Sequence, residues 1–220
     1  MIRRLWNALM TPHTLRERVQ RRLQPGRLLF PDRSWPLTPA FCPCDVHFGE
    51  YLRERDIRHR SIFHLGTGGH HSVGKLNCEA GIANEILGLT LSPQENAQYV
   101  AAVIRNPLLG RHYKVLFADL YSLSAAGLPA FDIVTLFHLC EFADRRSAGR
   151  RMDDARVLDL FLSKLAPGGL MVFYPGSCGY SQAQPLIAQV TGDRRLSPVE
   201  QYKSLAIFRG AAGPRASPVG

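Results

Sequence analysis

The sequence predicts an α/β fold, a doubly wound and mostly parallel seven-stranded sheet with helices on both faces. Three observations predict it. The stretch 61–74 (S-I-F-H-L-G-T-G-G-H-H-S-V-G) carries a short apolar run into a glycine-rich bend and out into a helix start. Apolar runs at 85–91, 113–117, 131–136 and 170–173 then alternate with helical patterns, which is the rhythm of parallel strands joined by crossover helices; before the last run, 157–165 reads as a helix and A-P-G-G at 166–169 as a turn. The run 195–208, ending in S-L-A-I-F, reads as an antiparallel pair that closes the sheet.

The 220 residues, 45% of them hydrophobic, suffice for one core and not for two full domains. The expected division is a basic helix and connector over 1–44, an α/β domain over 45–210 and a disordered tail over 211–220. No apolar run reaches the roughly 20 residues of a bilayer span. The five cysteines, an odd number without a framework, fit a reducing compartment, and a cytoplasmic protein is expected.

The net charge of +9 is uneven. Arg3, Arg4, Arg16, Arg18, Arg21, Arg22 and Arg27 face only Glu17 in the first thirty residues, while Leu5, Trp6, Leu9 and Met10 share a helical stripe. Two readings stay open: a solvated amphipathic helix packed on its own domain, or peripheral contact with the inner face of an anionic membrane. Nucleic acid is not an expected partner, because charge alone suggests it.

Pro25, Pro31, Pro36, Pro39 and Pro43 make 24–43 an extended connector. Within it Cys42, Cys44 and His47 form C-x-C-x-x-H. Thiolates beside imidazole can hold zinc, but no fourth ligand is evident and the spacing is not a standard structural pattern, so unpaired thiols and no metal are expected. Residues 45–57 read as a helix, its apolar stripe formed by Val46, Phe48, Tyr51, Leu52 and Ile57 and its start capped by Asp45.

In a parallel sheet, ligands bind beyond the carboxyl ends of the strands. After the first strand Gly66 and Gly68 can adopt positive φ and let backbone N–H groups approach a ligand at a helix start. The dinucleotide fingerprint would want its third glycine where His71 stands, which disfavours nicotinamide or flavin chemistry. After the fourth strand, His138 has a pKa suited to a general base and Glu141 can orient it, so these two are the candidate catalytic residues; the alternative is a hydrogen-bonded wall histidine. The loop 174–180 lies on the same rim and suits a substrate loop.

The Gly66-Thr67-Gly68 turn, G-L-T-L-S-P at 88–93, Asp119, F-D-I-V at 131–134 and L-A-P-G-G-L at 165–170 together resemble the class I S-adenosylmethionine-dependent methyltransferases, whose fold is Rossmann-like. The G-L-T-L-S run is similar to that of the cyclopropane-fatty-acid-synthase-like subgroup. The resemblance implies S-adenosylmethionine as cofactor and a methyl transfer to a small-molecule or lipid-like acceptor. It implies cofactor contacts from His64, Gly66, Thr67, Gly68 and Gly69, ribose contacts from Thr90 with Glu95, an adenine contact from Asp119, and a ring covered by Leu120, with Phe137 on the same rim. His64 and His70 stand where the family usually has an acid and a glycine. A binding protein that keeps the fold without the reaction is therefore the second reading.

Overall fold

The computed structural model of the protein describes residues 34–142 and 152–211. The basic N-terminal helix and the tail lie outside the described residues. Helix α1 (Cys44–Glu54) precedes β1 (Ser61–Leu65), and α2 (Ser72–Glu79) leads to β2 (Glu85–Thr90). Then come α3 (Pro93–Arg105), the short α4 (Leu109–His112), β3 (Tyr113–Phe117) and β4 (Phe131–Thr135). Helix α5 (Asp154–Lys164), β5 (Leu165–Phe173), α6 (Tyr180–Gly192), β6 (Leu196–Tyr202) and β7 (Leu205–Gly210) complete the chain.

The seven strands form one sheet in the order β3-β2-β1-β4-β5-β7-β6. The first five run parallel, and β7 pairs antiparallel with both β5 and β6. β1 is an interior strand flanked by β2 and β4: Ile62 lies against Ile86 and Ile133, and Phe63 against Leu87 and Val134. The strand order turns back between β1 and β4, which opens a crevice at their carboxyl ends.

The apolar runs are continuous because both faces of the sheet are covered. On one face Phe63, Phe131, Val134, Met171 and Phe173 meet Val157 and Phe161 of α5 and Ile187 of α6. On the other, Ile62, Ile86, Ile133, Val172 and Ile207 meet Phe48 and Leu52 of α1. Each such side chain fully buried contributes roughly 1.5–3 kcal/mol. A polar clasp ties the β1 and β2 entries together: Asn84 Oδ1 accepts from Arg60 N–H, its Nδ2 donates to Ile57 O, and Asn77 bridges its backbone.

Three boundaries differ from expectation. β5 starts at Leu165, and A-P-G-G, read as a turn, lies inside the strand; Gly168 takes φ 74° where the pairing with β4 shifts register between Phe131 and Ile133. A bulge thus uses the glycine that the turn reading assigned to a loop. Helix α5 begins at Asp154 because Asp153 Oδ1 accepts from Arg156 N–H. Asp45 does not cap α1: Pro43 holds that position, and Asp45 is buried in the first turn.

Candidate functional site

Five strand ends and the segment before α1 converge on one rim. At the end of β1, Gly66 and Gly68 have φ 83° and 55°, so the turn uses the conformations that glycine supplies without steric cost. Thr67 is buried, and Gly69 N–H donates to Trp35 O at 2.9 Å. A Cβ on Gly66 would stand 3.1 Å from the His138 ring, and one on Gly68 3.0 Å from Trp35 O. The cradle is therefore lined closely by this chain's own groups.

The turn is pinned by histidines. His71, at φ 50°, contacts Tyr113 Oη through Nδ1 and Glu95 O through Nε2, each at 3.0 Å. His70 Nδ1 accepts from Ser72 N–H at 3.2 Å and lies 2.6 Å from Ser72 Oγ, satisfying the start of α2.

At the end of β2, Thr90 and Glu95 come together as the resemblance implies. Thr90 Oγ1 donates to Glu95 Oε2 at 2.6 Å, and Ser92 caps α3 by accepting from Glu95 N–H. Glu95 Oε1 accepts from Trp35 N–H at 3.2 Å. Burial pushes the Glu95 carboxyl up, and the two donors pull the other way. At the end of β3, Asp119 Oδ1 accepts from Tyr121 N–H and caps a short turn, while Leu120 is packed in the core.

Phe137, after β4, is buried with its ring edge-on to Phe48 and to His64, at 5.8 Å from each. His64 itself lies inside: Nδ1 is 2.8 Å from Thr135 Oγ1, and Nε2 is 3.7 Å from Asp45 Oδ1. Asp45 Oδ2 lies 3.6 Å from His70 Nδ1. Burial holds His64 down to about 3 and His70 to about 4, helped by the neighbouring imidazoles, so both are neutral at pH 7. The same burial pushes Asp45 up to about 7.

His138 and Glu141 also meet, with Nδ1 3.1 Å from Oε2, close enough for charge pairing but off the angle of a hydrogen bond. Glu141 Oε1 accepts from Ser177 Oγ at 2.6 Å and from the Cys178 and Gly179 N–H groups at 2.9 and 3.4 Å. Burial opposes charge on both residues. Their mutual attraction outweighs it, holding His138 well above the ordinary imidazole range and Glu141 down to about 2. An imidazole paired in this way holds its proton more firmly than a free one, which suits the pair to orienting a polar group. Ser177 and Cys178 also line a 290 Å³ cleft with Pro175, Gly176 and Tyr180, in the loop expected to meet substrate.

The spacing-based grouping of Cys42, Cys44 and His47 is replaced. His47 Nδ1 lies 2.7 Å from Ser204 Oγ, and the imidazole that joins the two thiols is His138. Trp35 and Asp45 were not legible as site residues, because nothing local marks a connector peptide or a helix-start carboxyl as buried against a turn far along the chain.

No protein-family model matches the chain, and no curated protein is similar to it in sequence. Solved structures are similar to it in shape. An O-methyltransferase family protein from Burkholderia thailandensis has 15% identity and a TM-score of 0.55 over 80% of this chain and 58% of its own, so this chain spans little more than half of that protein. The CcbJ methyltransferase from Streptomyces caelestis has 16% identity and a TM-score of 0.55 over 81% of this chain and 94% of its own. The cyclase SpnF has 14% identity and a TM-score of 0.56 over 82% of this chain and 86% of its own. A cyclase among such neighbours illustrates that a fold does not name a reaction. What these likenesses and the strand order establish together is architecture: the chain has the fold of the class I S-adenosylmethionine-dependent methyltransferases.

Proposed function

We propose that the protein is an S-adenosylmethionine-dependent methyltransferase acting on a small-molecule acceptor. The observation that carries this reading is the alignment of three acceptor or donor groups at adjacent parallel strand ends: the Gly66–Gly69 backbone after β1, the Thr90–Glu95 pair after β2, and Asp119 after β3. They fit an adenosyl group in kind. Backbone N–H groups at the start of a helix favour an anionic end, Glu95 can accept two ribose hydroxyls, and Asp119 has a second oxygen for an amino group. The cofactor would supply an electrophilic methyl group; the protein's task is to align the acceptor with it, since no new charge has to be stabilised.

On this reading His64 supports binding by staying neutral, which keeps a second positive charge away from a sulfonium. Phe137 and Leu120 support the wall from within the core. The cleft at Pro175–Tyr180 receives the acceptor, and the His138–Glu141 pair beside it orients the acceptor's polar group. A lipid-like acceptor, delivered by the basic N-terminal segment at a membrane surface, is the extension of the same reading.

Calorimetric titration with S-adenosylmethionine and S-adenosylhomocysteine tests it. Saturable binding is expected, with stabilisation of about 2.7 kcal/mol at a hundredfold the dissociation constant. No heat and no shift in melting at millimolar ligand would leave a partner-binding protein on a methyltransferase fold.

A further inference from the structure

We propose that Cys42, Cys44 and His138 form a site for a thiophilic divalent cation, zinc in the first instance, with three protein ligands and one open position. The two Sγ atoms are 3.4 Å apart, and with a ring nitrogen of His138 all three candidate ligand atoms lie within 4.8 Å of one another. Zinc bonds of about 2.3 Å to sulfur and about 2.0 Å to nitrogen set tetrahedral ligand atoms roughly 3.5–3.8 Å apart. The sulfur pair is already close to that spacing, and the imidazole nitrogen lies within 4.8 Å of both sulfurs, so binding would draw it in. A sulfur separation of 3.4 Å is well beyond the roughly 2.0 Å of a disulfide, and all five cysteines include none that is bridged among the described residues.

The donor set chooses the metal. Two thiolates and an imidazole select zinc over magnesium or calcium, which take oxygen ligands. The surroundings resemble those of a metal-bound histidine: Glu141 Oε2 stands 3.1 Å from His138 Nδ1, so a carboxylate lies beside the imidazole and Nε2 is the nitrogen we assign to the metal. Glu141 is itself held by Ser177, Cys178 and Gly179, so the support extends to the loop after β5. The ligands come from separate parts of the fold, Cys42 from the connector, Cys44 from the first position of α1 and His138 from the segment after β4. Cys44 is 1% exposed, and His138 lies against Gly66.

Among the described residues no fourth histidine, cysteine or carboxylate lies close to all three ligand atoms; Asp45 Oδ1 accepts from Cys44 Sγ alone among them, at 3.7 Å. Three ligands with one position left for water or substrate is the arrangement of catalytic zinc, in contrast to the closed four-ligand structural sites. Glu141 links His138 to the loop that lines the acceptor cleft, and the group the open position would take is a thiol or hydroxyl that loses its proton on binding a metal. Only this last assignment rests on the proposed methyl transfer. The metal site itself does not.

The test uses the full chain without cofactor. Apo protein prepared with a chelator is titrated with Zn²⁺, bound metal is measured by mass spectrometry of the desalted protein, and Co²⁺ is used as a spectroscopic probe. One equivalent of tightly bound metal and thiolate-to-cobalt charge-transfer absorption are expected. Cys42→Ser and Cys44→Ser should each abolish that absorption or weaken binding sharply, Glu141→Gln should weaken binding by about 10–100-fold, and His47→Ala should leave it unchanged. Should the variants fail to fold, the wild-type chain still answers: Zn²⁺ should protect the half-buried Cys42 from alkylation while the exposed Cys178 keeps reacting. Absence of stoichiometric metal, retention in the Cys42→Ser/Cys44→Ser double variant, or alkylation of Cys42 unaffected by Zn²⁺ would overturn the site. Because no cofactor is present, that failure is distinct from a failure to bind S-adenosylmethionine.

Discussion

The backbone N–H of Trp35 donates to Glu95 Oε1 at 3.2 Å, so the connector before α1 reaches the carboxylate in the first turn of α3. The neighbouring carbonyl accepts from Gly69 N–H, and Ser34 Oγ donates to Gln98 Oε1 at 2.7 Å. One short segment thus occupies groups of the proposed cofactor site.

A ligand that takes Glu95 must displace or share this segment. Trp6 and Trp35 are the two tryptophans of the chain, so Trp6→Phe leaves Trp35 as the reporter. In that variant S-adenosylhomocysteine should change the tryptophan emission saturably, with a midpoint matching calorimetry. Binding heat with unaltered emission would place the ligand away from Glu95. Glu95→Gln should weaken binding by roughly 1–3 kcal/mol.

Asp119 has a structural task and a proposed one, and two substitutions separate them. Asp119→Ala loses the bond from Tyr121 N–H, at a stability cost of about 1 kcal/mol, and should also weaken cofactor binding by roughly 1–3 kcal/mol. Asp119→Ser restores a capping oxygen but not the reach of the carboxylate. Recovery of the melting temperature without recovery of affinity is expected; recovery of both would remove Asp119 from the site.

Acid sensitivity follows from the Asp45, His64 and His70 group, measured with chelator present. Between pH 6.5 and about 3 the unfolded chain binds a proton at His64 that the folded chain refuses, so this stability is full above 6.5 and is lost as pH falls. His70 acts with the same sign down to about 4. Asp45 opposes them, since its folded carboxyl keeps a proton from 3.8 up to about 7 and loses stability as pH rises through that window. With two histidines against one carboxyl, melting temperature should fall between about pH 6.5 and 4.5. Asp45→Asn should steepen that fall and His64→Asn should flatten it; an unchanged slope in both would show that the group does not titrate on folding.

Gly88 stands opposite His64 in β2, and a Cβ there would meet Thr67 Cγ2 at 2.6 Å and the Tyr113 ring at 3.2 Å. Gly88→Ala should therefore cost roughly 1–3 kcal/mol by overpacking, read as a lower urea midpoint. Gly127 has nothing within 4 Å of such a Cβ and no positive φ, so Gly127→Ala should stay within about 0.5 kcal/mol. Equal effects at both positions would contradict the packing of the turn against β2.

The sheet was largely legible in the chain because each strand is a local apolar run and each crossover a local period. Where a local cue served two structures, reading stopped: Ala166-Pro167-Gly168-Gly169 has turn composition, yet its glycine relieves a shift of register that exists only once β5 lies beside β4. Thr90 and Glu95 were paired only through the resemblance of the G-L-T-L-S run. In the structure they meet because a strand end is followed directly by a capped helix start.

By itself, then, the sequence determined the alternation of strands and helices, the glycine turn after β1 and the acids that follow β2 and β3, all features set by neighbours a few positions apart. Tertiary structure decided which distant groups share a space. His47 is adjacent to the two thiols in sequence but turns to Ser204, whereas His138 reaches them because β4 lies beside β1 and α1 covers that edge. Asp45 carries the composition of a cap, and only the packing of α1 over the β1 turn buries it between His64 and His70. Side-chain periodicity encodes which face of an element is apolar, while the partners of a buried polar group depend on strand order and register, which no local pattern specifies.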